Sequence, residues 1–263
     1  MNAYVLGWPI AHSKSPAMHD AAFAALGLPA RMLPLAVPAE RLAQAIAELR
    51  AEPMLGASVT IPHKLAVAAL CDEISGDARE IGAVNCLELA GPRVIGHNTD
   101  AGGFLDGLVA AGCDVRGKCA VLLGAGGASR AVEYALDSAG ASVEVVARTP
   151  RTGTRPWTDA TLRDAFARAD LLVDCTPAGL DAGTDAAFTS GLPLAALPPH
   201  AWIGTLVYHR RTRLLDAAAG RRTFDGRAML VHQAARAFQL WTQLAPPIDI
   251  MTRALDDSLV KSA

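Results

Sequence analysis

The chain has no CxxC pair, no HExxH or comparable histidine spacing, no repeat at a fixed period and no excess of either charge. Its five cysteines, Cys71, Cys86, Cys113, Cys119 and Cys175, are odd in number and scattered, which excludes a disulfide framework and a thiolate metal site. No metal is expected. Lys and Arg total 24 against 26 Asp and Glu, a net charge of −2, so no general field attracts phosphate backbones or anionic lipid. Nucleic acid and membrane surfaces are not expected partners. The longest stretch without a charged side chain, 186–209, is interrupted by Gly191, Pro193, Pro198, Pro199 and Gly204 and cannot be a membrane span. The amino-terminal MNAYVLGWPIAHSKSP lacks a basic flank before its apolar residues and meets Pro9 early, unlike a signal or transit peptide. A cytoplasmic protein is expected.

What is present is apolar. With 51% hydrophobic and 19% charged residues over 263 positions, the chain can bury one large core or two medium ones. Short apolar runs alternate with helical patterns, the mark of an α/β fold. AYVLGWP reads as a strand, and SPAMHDAAFAALG as a helix with Ser15 at its cap, Pro16 at its first position and Gly27 at its end. ARMLPLAV, ERLAQAIAELRA, GASVTIP and KLAVAALCD continue as strand, helix, strand and helix. AVNCLEL and RVIGHNTD resemble a hairpin, and the helix that begins at AGGFLDGLVAAG is expected to lead into a second domain near residues 100 to 105. There KCAVLLGAGGASRAVEYALDSAGASVEVVART reads as a full βαβ unit, followed by a Pro/Thr/Arg-rich connector and two flat apolar strands in DLLVDCTPAG and WIGTLVY. Helices in MLVHQAARAFQLW and TRALDDSLVK are expected to return to the first domain.

Four motifs carry chemistry. In Gly124, Ala125, Gly126, Gly127, Ala128 and Ser129, glycines let the backbone approach a diphosphate while the following helix aims its unpaired N–H groups at the phosphates. The next strand ends in Ala147, Arg148 and Thr149, with no acid to grip a ribose 2′-hydroxyl; Arg148, with Arg151 and Arg155 nearby, suits a 2′-phosphate and so favours NADP. In the first half, Ser13 and Ser15 could converge on a carboxylate, or Ser15 could simply cap its helix. Lys64 and Asp100, each at the end of a strand, could pass a proton to and from an alcohol oxygen, or form an ordinary surface pair.

HSKSP, SVTIPHK, GAVN, GHNTD, GAGGASRA, ART, TPAG and MLVHQAARAFQLWT follow one another in this order, and over nearly the whole chain the sequence resembles the shikimate dehydrogenase family. The resemblance implies an amino-terminal α/β substrate domain, 1–102 completed by 233–263, and a Rossmann-type doubly wound NADP domain, 103–232, with the catalytic cleft where they meet. It implies reversible oxidation of the ring 3-hydroxyl of shikimate, a small cyclic hydroxy acid, by a monomer or homodimer. Lys64 is then the acid/base, with Asp100 beside it. Ser13, Ser15 and Tyr208 hold the carboxylate; Thr60, Asn85, Asp100 and Gln233 hold the ring hydroxyls. Arg148 and Thr149 clamp the adenosine phosphate, and Thr176, Gly226 and Met229 line the nicotinamide pocket. The chain departs from the family where Ser58 replaces the usual Asn at a ring-hydroxyl contact, Ala147 another Asn, and Thr205 and Arg210 an Asp and a Pro around Tyr208. These changes keep open a paralogue acting on quinate or an amino-substituted shikimate. A non-catalytic NADP-binding sensor would not need Lys64, Asp100 and Gln233.

Overall fold

The computed structural model describes residues 1–51, 53–218 and 220–261. One unit takes Met1–Gly103 and the chain from Val231 onward; the other is Phe104–Leu230. In the first, β1 (Asn2–Gly7), α1 (Ser15–Ala25), β2 (Met32–Ala36), α2 (Leu42–Ala51) and β3 (Met54–Val59) come first, then β4 (Glu73–Ile74), α3 (Gly76–Ile81), β5 (Cys86–Ala90), β6 (Arg93–His97) and the start of α4 (Asp100–Ala110). The sheet order is β2-β1-β3-β5-β6-β4. β1 is parallel to β2 and β3, whereas β5 is antiparallel to both β3 and β6. The AVNCLEL and RVIGHNTD runs thus form the expected hairpin. α2 buries Leu42, Ala45, Ile46 and Leu49, an apolar stripe at i, i+3, i+4 and i+7, against Leu6, Val59 and Leu87 of the sheet.

Two local expectations change. Ser15 is not a helix cap: Lys14 takes the cap position in α-like backbone, no side chain caps α1, and Pro16 falls one residue inside the helix. That proline is tolerated because the first amides of a helix have no intrahelical partner. The KLAVAALCD run contains only a short 3-10 stretch, Ala66–Leu70. The carbonyl of Lys64, which would accept the fourth amide along in an α-helix, instead accepts the Val84 amide at 2.8 Å.

The second unit contains β7 (Cys119–Leu123), α5 (Gly127–Ser138), β8 (Ser142–Ala147), β9 (Arg155–Pro156), α6 (Asp159–Arg168), β10 (Leu171–Asp174), α7 (Ala182–Ser190), β11 (Trp202–Thr205), α8 (Arg213–Ala217) and β12 (Thr223–Phe224). All six strands are parallel, ordered β9-β8-β7-β10-β11-β12. Counted within the unit this is 3-2-1-4-5-6, the doubly wound dinucleotide-binding order, whose ligand crevice lies beyond the carboxyl ends of its first and fourth strands, here β7 and β10. The connector after Thr149 holds a helix that its polarity concealed: Thr158 Oγ1 caps α6 by accepting the Thr161 amide at 3.1 Å, and Leu162, Ala165 and Phe166 are buried. α9 (Arg227–Thr242) and α10 (Ile248–Val260) end the chain, α10 beginning before the TRALDDSLVK run and packing on α1. No helix among the described residues is long and apolar enough to cross a membrane.

Candidate functional site

β1 and β3 are parallel neighbours, so the loops carrying Ser13 and Ser15 and those carrying Thr60 and Lys64 leave the sheet at one edge. β5 is antiparallel to them, so Asn85, just before it, lies at the same edge, as does Asp100 after β6. Topology gathers the residues before any side chain is considered.

Lys64 Nζ donates to Asp100 Oδ2 at 2.6 Å. Asp100 opens α4, where the unpaired amides of the first turn favour a carboxylate. Its other oxygen accepts Asn85 Nδ2 at 2.8 Å, and Asn85 Oδ1 in turn accepts the Thr99 amide at 2.7 Å. Asn98 Oδ1 accepts the Ala101 amide at 3.2 Å while its amide group donates to the Ala83 carbonyl at 2.9 Å, tying α4 to the turn before Asn85. The Asp100 side chain is 4% exposed and that of Lys64 15%. The carboxylate is therefore fixed and dry, while the ammonium keeps a path to a ligand and two further protons. This is no freely solvated surface pair.

Around it, Ser58 is buried in β3, and the Thr60 amide donates to the Leu6 carbonyl at 2.8 Å. Gln233 on α9 is buried, and its backbone lies against Gly103 of α4: a Cβ at that glycine would lie 2.5 Å from the Gln233 backbone nitrogen, so only glycine lets the helices touch there. Ser13 Oγ accepts the Ser15 amide at 3.4 Å, so Ser13 steadies the start of the helix that Ser15 was expected to cap. Among the described residues no His, Cys, Asp and Glu gather into a metal-binding group.

In the second unit, Gly124 has φ +101°, a conformation that L side chains rarely adopt, and a Cβ there would press on Thr176 at 3.2 Å. Space beyond Gly126 is open, and no side chain caps the amino end of α5. Open approach and uncapped amides fit the diphosphate of a dinucleotide. Ser129 is buried, and its Oγ donates to the Gly124 carbonyl at 2.6 Å, so its hydroxyl proton closes the turn from within and is not offered to a phosphate. Thr176 is held by Asp174: its amide donates to Asp174 Oδ1 at 2.9 Å. Burial pushes the Asp174 carboxyl up to about 6. Sequence reading missed Asp174, although its place at the carboxyl end of the apolar β10 was the available signal.

Arg148 and Thr149 are exposed after β8, and Arg148 lines a cavity of about 490 Å³ with Trp157, Thr176, Pro177, Thr184 and Phe188. Arg148 has no ion pair among the described residues. The two arginines expected beside it do: Arg151 pairs with Glu133 of α5, and Arg155 with Glu144 at 2.6 Å and Asp164 at 2.8 Å. A free guanidinium over an open cavity fits a 2′-phosphate. Met229 lines a cavity with Phe104, Leu206 and Phe224. A Cβ at Gly226 would lie 2.1 Å from the Leu206 carbonyl oxygen, which makes that glycine a packing requirement. Tyr208 follows β11 in this second unit, whereas Ser13 and Ser15 belong to the first; burial pushes its phenol up.

Residues 5–87 match the family model for the shikimate dehydrogenase substrate binding domain, and 226–255 that for the shikimate 5′-dehydrogenase C-terminal domain. The chain is 42% identical to a shikimate dehydrogenase (NADP(+)) of Symbiobacterium thermophilum over 95% of its length and 92% of that protein. A solved shikimate 5-dehydrogenase of Thermus thermophilus, in complex with NADP(H) and shikimate, is 38% identical with TM-score 0.87, covering 98% of this chain and 99% of that one. The shikimate dehydrogenase of Aquifex aeolicus is 29% identical with TM-score 0.89 over 97% of both chains.

Proposed function

The chain belongs to the shikimate dehydrogenase family, and from that premise we propose that it reversibly oxidises the 3-hydroxyl of shikimate with NADP, using Lys64 and Asp100 as its proton-transfer pair. The single observation that carries the residue assignment is the 2.6 Å bond between Lys64 Nζ and a carboxylate that Asn85 fixes from its other side. Bound NADP supplies the acceptor for the hydride that leaves the carbinol carbon. For oxidation Lys64 must enter as the neutral amine, whose lone pair takes the hydroxyl proton as the C–O bond becomes a carbonyl; in the reverse direction the resulting ammonium returns that proton to the carbonyl oxygen. Asp100 orients the lysine through the 2.6 Å bond to Nζ. Thr60, Asn85 and Gln233 hold ring hydroxyls, and Ser13 and Ser15 the carboxylate, so the reacting oxygen is presented to Nζ. Appearance of reduced nicotinamide when purified protein meets shikimate and NADP tests the reading; no turnover with shikimate would overturn it.

Arg148, the uncommitted guanidinium, reads the 2′-phosphate. A charge-assisted hydrogen bond contributes about 1.5–3 kcal/mol, so Arg148→Ala is expected to weaken NADP binding roughly ten- to a hundredfold and NAD binding little. Equal losses for both cofactors in calorimetric titration would remove the assignment.

Buried Ser58, where the family usually has Asn, favours a second reading in which quinate or an aminoshikimate is the better substrate. Serine is shorter than asparagine, so this position holds a shikimate hydroxyl less well and leaves room for the additional ring hydroxyl that quinate carries. Ser58→Asn is expected to raise kcat/KM for shikimate relative to quinate by about tenfold. An unchanged ratio would mean that position 58 does not select the ring.

A further inference from the structure

We propose that Glu133 sets this chain's cofactor preference by withholding Arg151 from the 2′-phosphate of NADP. The inference rests on the reading that the segment after β8 receives that phosphate. Three arginines, at 148, 151 and 155, fall on or beside this segment, and a 2′-phosphate with its near-double negative charge would attract all three. The structure leaves only one of them uncommitted.

Arg155 lies in a closed ring of four charges. It contacts Glu144 and Asp164, while Arg168 contacts the same two acids at 3.0 and 2.7 Å. Removing one acid leaves the other, so no single substitution frees Arg155. Arg151 is held differently. Its guanidinium pairs with a single acid, Glu133, and otherwise donates at 3.3 Å to the Thr152 carbonyl. Its backbone is fixed by a turn in which its amide donates to Thr154 Oγ1 at 2.8 Å. Both partners are near the solvent edge, with side chains 28% and 30% exposed, so a ligand can reach them. The buried Nε of Arg151 has no partner among the described residues, so the pair leaves a donor unsatisfied.

Glu133 stands on α5, whose amino end carries the glycine turn. It therefore places a negative charge on the helix assigned to the diphosphate and pairs it with Arg151. Replacing that carboxylate by a neutral amide leaves the side-chain shape but removes the charge that outcompetes a phosphate for Arg151. Binding should improve, a gain that a merely structural ion pair would not give.

The test is calorimetric titration with 2′,5′-ADP and 5′-AMP, which differ by the 2′-phosphate and require no turnover. Glu133→Gln is expected to bind 2′,5′-ADP three- to tenfold more tightly than wild type, with 5′-AMP affinity unchanged within twofold. The gain should vanish in Glu133→Gln/Arg151→Ala, and Arg151→Ala alone should bind 2′,5′-ADP within twofold of wild type. Unchanged or weaker 2′,5′-ADP binding by Glu133→Gln, or a gain that survives loss of Arg151, would overturn the proposal. A marked loss in Arg151→Ala alone would overturn it too, since Glu133 would then be presenting the arginine. Arg148→Ala in the same series separates the two readings: if it still prefers 2′,5′-ADP as wild type does, the phosphate site itself is misplaced.

Discussion

Lys64→Ala is expected to lower kcat for shikimate oxidation by two to four orders of magnitude while leaving NADP affinity within a few-fold. A positioned acid/base contributes typically 10²–10⁴ in rate, about 3–5 kcal/mol of barrier. Cofactor binding should hardly move, because Lys64 belongs to the unit of β1–β6 and the glycine turn to the other. Asp100→Asn should also impair turnover: the amide keeps the shape and can still meet Asn85, but removes the charge opposite Nζ. Since the two groups act as one device, the double variant should lose little more than Lys64→Ala alone. Multiplicative losses in steady-state kinetics would show that lysine and carboxylate act independently.

Acidification is expected to destabilise the first unit through a residue with no part in the chemistry. His19 of α1 is wholly buried, its ring centroid 5.2 Å from that of Trp241, 6.0 Å from Phe23 and 6.3 Å from Phe238. Neither ring nitrogen has a partner among the described residues. Burial pushes its pKa from 6.5 down to about 3. The folded group resists a proton that the unfolded chain accepts, so this contribution is complete above about pH 6.5 and is lost as pH falls toward 3. At 1.36 kcal/mol per pH unit the full loss approaches about 5 kcal/mol. His19→Leu, which cannot titrate, should flatten that part of the curve. Denaturant unfolding of wild type and variant between pH 7.5 and 4 tests this; parallel curves would show that another group governs acid stability.

Much of this was legible in the chain. The βα alternation, the glycine turn after an apolar strand, and the lysine and aspartate at strand ends all follow from local patterning, because parallel sheets bury continuous apolar runs and leave chemistry to the loops at their ends. The fate of single side chains was not. Ser15, expected at the helix cap, is the first residue of α1, and Ser129, expected in the diphosphate loop, turns its hydroxyl inward to the Gly124 carbonyl, outcomes decided by one or two residues of register. Arg151 and Arg155 looked available because their acids, Glu133, Glu144 and Asp164, stand far off in sequence or on a helix hidden in a polar connector. Asn98 and Thr99 were in plain sight in GHNTD, but their bonds to Ala83 and Asn85 depend on a hairpin closing.

Single-turnover hydride transfer from shikimate in folded Lys64→Ala protein saturated with NADP, with and without added ethylamine, distinguishes a proton-transferring lysine from a bystander. The rate should lie at least a hundredfold below wild type and rise with amine concentration, since a small primary amine can take the proton Lys64 would have taken. A loss of less than tenfold, with no response to amine, would contradict that role and leave Lys64 as a lysine that merely neighbours the site.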